Sequence, residues 1–253
     1  MHILNKRVGE TPLELIRRTF PDHSTKKYTY AGRLDPMASG LMIILEGDEV
    51  HEKEQYLDLD KTYELEILFG VSTDSYDTLG LITNTQIPAS LSESNLDSTL
   101  DSLPHTFAQP YPPYSSRTVE GKPLWLWAKE GKLEQITIPT KQVTIHSLTL
   151  DSLTTKPLSD LVSQITSNID LVKGHFRQDQ IIKQWQSLLT DTPTRRHADT
   201  LINRHADTLI CRLTVHCSSG TYMRSLAHSI GKQLGIPALA LSIHRTRVGD
   251  YSI

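Results

Sequence analysis

Apolar and polar positions change rhythm along this chain, and the rhythm marks out most of its elements. Tyr63, Leu65, Ile67 and Phe69 alternate with mostly polar neighbours across Lys61 to Gly70. That period of two predicts a half-buried strand with Tyr63 on its apolar side. Leu209, Cys211, Leu213, Val215 and Cys217 repeat the pattern, as does Val143 to Leu150. Leu41 to Leu45 is an unbroken aliphatic run, which predicts a buried strand behind a loop that starts at Tyr28 and is punctuated by Gly32, Pro36 and Gly40. Leu239 to Ile243 opens a last strand.

Elsewhere the spacing is helical. Thr11-Pro12-Leu13-Glu14 is a capping box with proline at the first helical position, and Leu13, Ile16 and Phe20 supply an apolar face. Met223, Leu226, Ala227, Ile230 and Leu234 recur at helical spacing before a capping Gly235. Shorter helices are predicted near 91–102 and 124–131, the latter with Trp127 and Ala128 inward, and one over 172–189 anchored by Phe176, Ile181, Trp185 and Leu188. Residues 71–80, with Asp74, Asp77 and Gly80, are turn-rich, and Gln109 to Tyr114 is a stiff, extended aromatic-proline segment. Residues 155–208 are less regular. They hold most of a tandem repeat, His197 to Arg204 followed by His205 to Arg212, which predicts a lengthened loop. Strands outnumber helices and no βαβ alternation appears, so the expected class is α/β (α+β): a mixed, mainly antiparallel sheet with helices packed on it.

Composition adds bounds. The 253 residues, 38% hydrophobic and 22% charged, suit one large globular domain. The longest aliphatic run is far short of a membrane span, and residues 1–11 lack the apolar stretch of a signal peptide, so a cytoplasmic protein is expected. Cys211 and Cys217 on one strand would lie roughly 20 Å apart, too far for a disulfide, and lack zinc-site spacing. Both are expected as reduced, core-facing thiols.

The formal net charge of −3 is unevenly spread. Residues 1–34 and 211–253 carry +4 each, leaving −11 between them. If the ends meet in space they form a local positive surface suited to a polyanion; alternatively they are solvated termini.

The phosphate-loop and GxGxxG patterns are absent, and His51-Glu52-Lys53-Glu54-Gln55 has Gln55 where a zinc protease needs its second histidine. Asp35, in Tyr30-Ala31-Gly32-Arg33-Leu34-Asp35-Pro36, stands out. Pro36 pushes it into extended backbone, and a carboxylate in a rigid loop before a buried strand is placed for chemistry, although Asp-Pro also starts ordinary turns. Arg224, in the first turn of a helix, could pair with such a carboxylate and hold it ionised, or be a solvated surface arginine. A hydrolase using Asp35 with Glu46 or Asp48 stays open on these grounds.

The loop Tyr30 to Gly40 resembles GHxGTLDPxAxG, the signature of TruB-type pseudouridine synthases. Five further blocks follow the family order: Lys6 to Pro12, Asp60 to Asp77, Gln109 to Gly121, Cys217 to Leu226, and His244 to Gly249. The resemblance implies a pseudouridine synthase fold acting as an isomerase on RNA, most often at uridine 55 in the T loop of tRNA. No metal or organic cofactor is implied. It implies Asp35 as catalytic aspartate, Tyr63 as the tyrosine stacked on the flipped base, Arg224 as the partner of Asp35, and Ile243 as an aliphatic pocket residue. Tyr30 stands where the family usually has histidine, and Arg33 where it has a small residue; both are expected near the substrate. Lys6, Arg7, Arg117, Lys122, Arg245 and Arg247 are expected to contact RNA. The expectation is one monomeric catalytic domain over 1–253, with an inserted segment at about 155–208 and no C-terminal accessory RNA-binding domain. An alternative is the same fold acting on another RNA loop, or mainly as an RNA-binding chaperone.

Overall fold

A computed structural model describes residues 1–86, 91–190 and 207–253. Its strands in chain order are β1 (His2–Lys6), β2 (Tyr28–Ala31), β3 (Ser39–Glu46), β4 (Lys61–Phe69), β5 (Val71–Thr73), β6 (Ile82–Thr85), β7 (Thr106–Pro110), β8 (Thr118–Val119), β9 (Lys122–Pro123), β10 (Thr140–Pro157), β11 (Asp207–Cys217), β12 (Ala238–Val248) and β13 (Tyr251–Ser252). The helices are α1 (Pro12–Thr19), α2 (Glu54–Leu57), α3 (Glu93–Asp101), α4 (Leu124–Lys129), α5 (Leu158–Asp170), α6 (Gln178–Ser187) and α7 (Met223–Leu234).

The main sheet runs β1-β3-β12-β4-β11-β10-β7, with β2 also on β3 and β13 on β12. Its pairings are antiparallel except β3 with β12, where Ser39 and Gly40 lie parallel to His244 and Arg245. This is the mixed, mainly antiparallel sheet expected from the strand rhythm. The two basic ends of the sequence do become neighbours, because β1 and β12 both flank β3.

Burial explains the two strand rhythms. On β4, Tyr63, Leu65 and Ile67 enter the main core together with residues of α5, α6 and α7. Glu66 on the opposite face pairs with Arg212 at 2.8 Å. The β3 strand is covered on both faces: Met42 and Ile44 join the main core, while Leu41, Ile43 and Leu45 join a second cluster with Ala31 and Val248. Hence its run is continuous rather than alternating. Cys211 and Cys217 are free and buried.

Several expectations shift. The α1 capping box forms as read, but the buried stripe is Pro12, Leu15 and Ile16, and Leu13 is exposed. A helix turning 100° per residue places positions 12, 15, 16 and 19 on one side, with 13 off it. Tyr28–Ala31 is a strand rather than loop, because β3 offers it a free edge at Ile43 to Glu46. The expected helix over 172–189 is the shorter α6, preceded by left-handed backbone at Gly174 and Arg177, with Phe176 exposed.

The largest difference lies in 155–208. Residues up to Pro157 continue β10 against β11, and α5 buries Leu158, Leu161, Val162, Ile165 and Ile169 in the main core. Trp185 and Ile181 of α6 are fully buried there too. The first copy of the tandem repeat lies outside the described residues; from Asp207 onward the second copy is β11 strand.

Candidate active site

Asp35 sits in the loop between β2 and β3, in a turn closed by Ala38 N–H donating to the Asp35 carbonyl at 3.0 Å. The turn is anchored from β1. The Lys6 ammonium donates to the carbonyls of Ala38 at 2.5 Å, Arg7 at 3.1 Å and Pro36 at 3.4 Å. Gly9 N–H also donates to Pro36 O at 2.8 Å. Gly40, at φ +108°, lets β3 start directly against β12; a side chain there would run into the Arg245 backbone.

Arg224, at the start of α7, meets Asp35 from the other side. Its Nε donates to Asp35 Oδ2 at 2.8 Å and lies 3.5 Å from Asp77 Oδ2. Its Nη1 donates to Ser75 O at 3.0 Å, and Nη2 reaches Tyr114 O at 3.5 Å. The Gln109 amide fixes the helix start, accepting from Tyr222 N–H at 2.8 Å and donating to Tyr222 O at 3.1 Å. Burial opposes the guanidinium charge, but Asp35 and Asp77 outweigh it and raise its pKa. Asp77 is itself pushed up to about 6 by burial, which its pairing with Arg224 only partly offsets. Arg224 is 3% exposed at the side chain and Asp35 31%, so the pair has a buried cationic end and an accessible anionic one.

That accessible end opens on a cavity of about 350 Å³. Asp35, Tyr63, Ile243, Arg224, Arg33 and Arg245 all line it, so the structure brings together the expected catalytic aspartate and four of the five expected substrate contacts. Arg245 and Tyr63 are directly paired across β12 and β4, and Ile243 is paired with Leu65 two residues along. Burial raises the Tyr63 phenol pKa. The cavity is also lined by Lys61, whose ammonium donates to Leu57 O, Leu59 O and Ser219 Oγ and whose pKa burial lowers to about 8.

Tyr30 is the fifth expected contact and is not among the lining residues; its hydroxyl accepts from Arg33 Nη2 at 3.0 Å. The expected RNA-contacting set needs correction. Lys6 is 0% exposed with its ammonium turned to backbone carbonyls, so it offers no cation to a phosphate; Arg245, 1% exposed with Nε on Leu41 O, faces the cavity rather than the outer surface. Lys122 is tied to Glu130 at 2.5 Å and lies over the Trp127 ring at 4.2 Å. Arg7, Arg117 and Arg247 are exposed. Arg117 lies 5.4 Å over the Tyr111 ring, and Arg247 is 3.7 Å from Asp250. The paired-acid hydrolase reading fails on placement: Glu46 is held by Lys26 at 2.8 Å and His2 at 2.9 Å, and neither it nor Asp48 lines the cavity. Asp77 is the second acid, and sequence reasoning left it in a turn. It lies in the Asp60 to Asp77 block, but its burial beside Arg224 has no local marker in the sequence. Among the described residues no group of three or more His, Cys, Asp or Glu side chains is gathered as for a metal ion. None of the described helices is long and apolar enough to cross a membrane.

Comparison with known proteins decides the family. The profile of the TruB family pseudouridylate synthase (N-terminal domain) matches residues 17–176, a span that takes in Asp35, Tyr63, Asp77 and α5. The chain belongs to the TruB family. It is 29% identical over 252 residues to tRNA pseudouridine synthase B of Bacillus velezensis, covering 99% of this chain and 65% of that protein. The same enzyme of Aquifex aeolicus is 25% identical over 251 residues, covering 99% and 69%. The chain thus spans about 65% of the length of the Bacillus relatives it matches. Among solved structures, a Cbf5–Nop10–Gar1 complex superposes with a TM-score of 0.56 at 15% identity, covering 99% of this chain and 49% of the matched one. An H/ACA RNP bound to a substrate RNA containing 2′-deoxyuridine superposes with a TM-score of 0.52 at 15% identity, covering 99% and 48%. These two share the TruB-family chain's fold.

Proposed function

We propose that this TruB-family protein isomerises a uridine in RNA to pseudouridine, with uridine 55 in the T loop of tRNA as its target. We propose that it does so as one catalytic domain, as a cytoplasmic monomer and without a cofactor. The observation that carries the reading is the Asp35–Arg224 pair, 2.8 Å apart, in the wall of a cavity shared with Tyr63. A base stacked inside a folded RNA cannot reach a carboxylate recessed in a cavity wall, so the target nucleotide must swing out of its stack into the cavity. Tyr63 and Ile243 supply a flat apolar surface for the uracil ring. Asp35, ion-paired with Arg224, acts on the ribose side as nucleophile or as base. The N1–C1′ bond breaks, the uracil turns in place, and a C5–C1′ bond forms. The C5 proton leaves through the Tyr63 hydroxyl, which takes it up as it passes its own proton to solvent, and N1 ends protonated. Atoms and electrons balance, so the chemistry calls for no redox partner.

A second reading, another RNA loop as target, is favoured by Tyr30, which stands in place of the family histidine and whose hydroxyl engages Arg33. One experiment separates these readings: RNA tritiated at uracil C5, supplied as a T-loop hairpin or as an unrelated uridine-containing loop. Tritium release from the hairpin is expected. Release from the other loop alone would move the substrate but keep the chemistry. RNA bound without release would leave a binding protein.

A further inference from the structure

The connection between α5 and α6 reaches both halves of the Asp35–Arg224 pair. On the Asp35 side, Leu171 packs against Gly9 so closely that a Cβ on Gly9 would lie 2.6 Å from the Leu171 Cβ; Gly9 N–H in turn holds Pro36 O, next to Asp35. On the Arg224 side, Arg177 grips Asp74 with both arms, Nη1 to Oδ2 at 2.7 Å and Nη2 to Oδ1 at 3.2 Å. Its guanidinium also lies 4.7 Å over the Tyr114 ring, and the Tyr114 hydroxyl donates to the same Asp74 Oδ2 at 3.1 Å. Asp74 and Tyr114 belong to two separate loops. Each loop supplies a carbonyl to Arg224: Ser75 O, one residue after Asp74, and Tyr114 O itself. Asp74 Oδ1 further accepts from Leu81 N–H at 2.8 Å, closing the first loop.

Arg177 achieves this from a left-handed backbone, φ +65°, that an arginine holds only where its surroundings fix it. A bidentate, ring-stacked guanidinium is a geometry lysine cannot reproduce. We propose that Arg177 is a positioning residue: by clamping Asp74 to Tyr114 it fixes the two carbonyls that aim Arg224 at Asp35. The segment around Arg177, within the stretch where an insertion is expected, thereby becomes part of the catalytic apparatus without touching substrate. The inference rests on the isomerase reading above.

The test compares wild type, Arg177→Ala, Arg177→Lys, Asp74→Asn and the Arg177→Ala/Asp74→Asn double variant, at a temperature where all are folded. Loosening Arg224 should lower kcat about tenfold in Arg177→Ala, below the roughly hundredfold cost of a 1 Å misplacement, with KM changed less than about twofold. Arg177→Lys should recover only part of the rate, and the double variant should be no slower than the slower single one. Amide exchange across residues 73–81 and 111–117 should quicken in Arg177→Ala. An unchanged kcat, a change in KM alone, full recovery by lysine, or additive losses would overturn the proposal. If the wild type turns over no RNA, the isomerase reading falls, and the clamp is judged by exchange alone. Unchanged exchange in both loops would then overturn it.

Discussion

Arg224 on α7 and Lys6 on β1 are two of the buried cations within reach of the Asp35 loop. Arg224 faces two carboxylates, Asp35 at 2.8 Å and Asp77 at 3.5 Å. Lys6 faces three carbonyls, those of Arg7, Pro36 and Ala38. Carboxylates neutralise a buried cation and carbonyls only solvate it. The pKa of Arg224 accordingly rises, while burial lowers that of Lys6 to about 8. One cation sets the charge of the site and the other sets the shape of the loop that carries it.

Replacing each cation should separate these roles. Arg224→Gln leaves Asp35 and Asp77 without a counter-charge. Turnover should fall about a hundred- to a thousandfold, measured as single-turnover tritium release. The lost partner should also cost about 3–5 kcal/mol in denaturant unfolding. Equal rates for variant and wild type would break the comparison at its stronger end. Lys6→Met strands the loop carbonyls but removes a costly buried charge. Its expected loss is about 1–3 kcal/mol of stability, with the turnover of the folded fraction reduced less than in Arg224→Gln.

Asp77 sharpens the electrostatic side. Its folded pKa of about 6 lies above the ordinary 3.8, so the folded state takes up this proton more readily than the unfolded chain. The stabilisation is complete at pH below about 4 and is lost as pH rises through 6. Wild type should therefore gain on Asp77→Asn by about 2–3 kcal/mol between pH 7 and pH 4. A difference between the two that stays flat with pH would remove Asp77 from the ionic network. The smallest effect concerns RNA. Arg7→Ala and Arg117→Ala should each reduce the log–log salt slope of RNA affinity by about one, and Lys6→Met should leave it unchanged.

How far the sequence carried this picture depends on whether a residue's partners are local. The α1 capping box lies within one turn and was readable, as were the alternation of β4 and the Gly235 cap. Asp35 and Arg224 were readable as candidates, since Pro36 and a helix start mark them locally. Their pairing, across 189 positions of sequence, was not derivable from spacing. Lys6 was misread because sequence shows the charge but not the carbonyls brought to it from residues 36–38. Asp77 was missed because its burial arises only when α7 packs against the 73–81 turn. The α5 stripe at 158, 161, 162, 165 and 169 was legible in principle, but its Ser, Thr and Asn neighbours masked it as irregular. Arg177 carried no local signal, as its partners come from two distant loops.

The central claim is that the Asp35 carboxylate, held by Arg224 beside Tyr63, converts uridine to pseudouridine. Asp35→Asn keeps the side-chain shape and removes the charge. The decisive measurement is single-turnover tritium release from T-loop RNA labelled at uracil C5, alongside the affinity of the same RNA. Release should fall by about 10⁴ or more with RNA affinity kept within about tenfold. Release by the asparagine variant at a rate near that of wild type would contradict it.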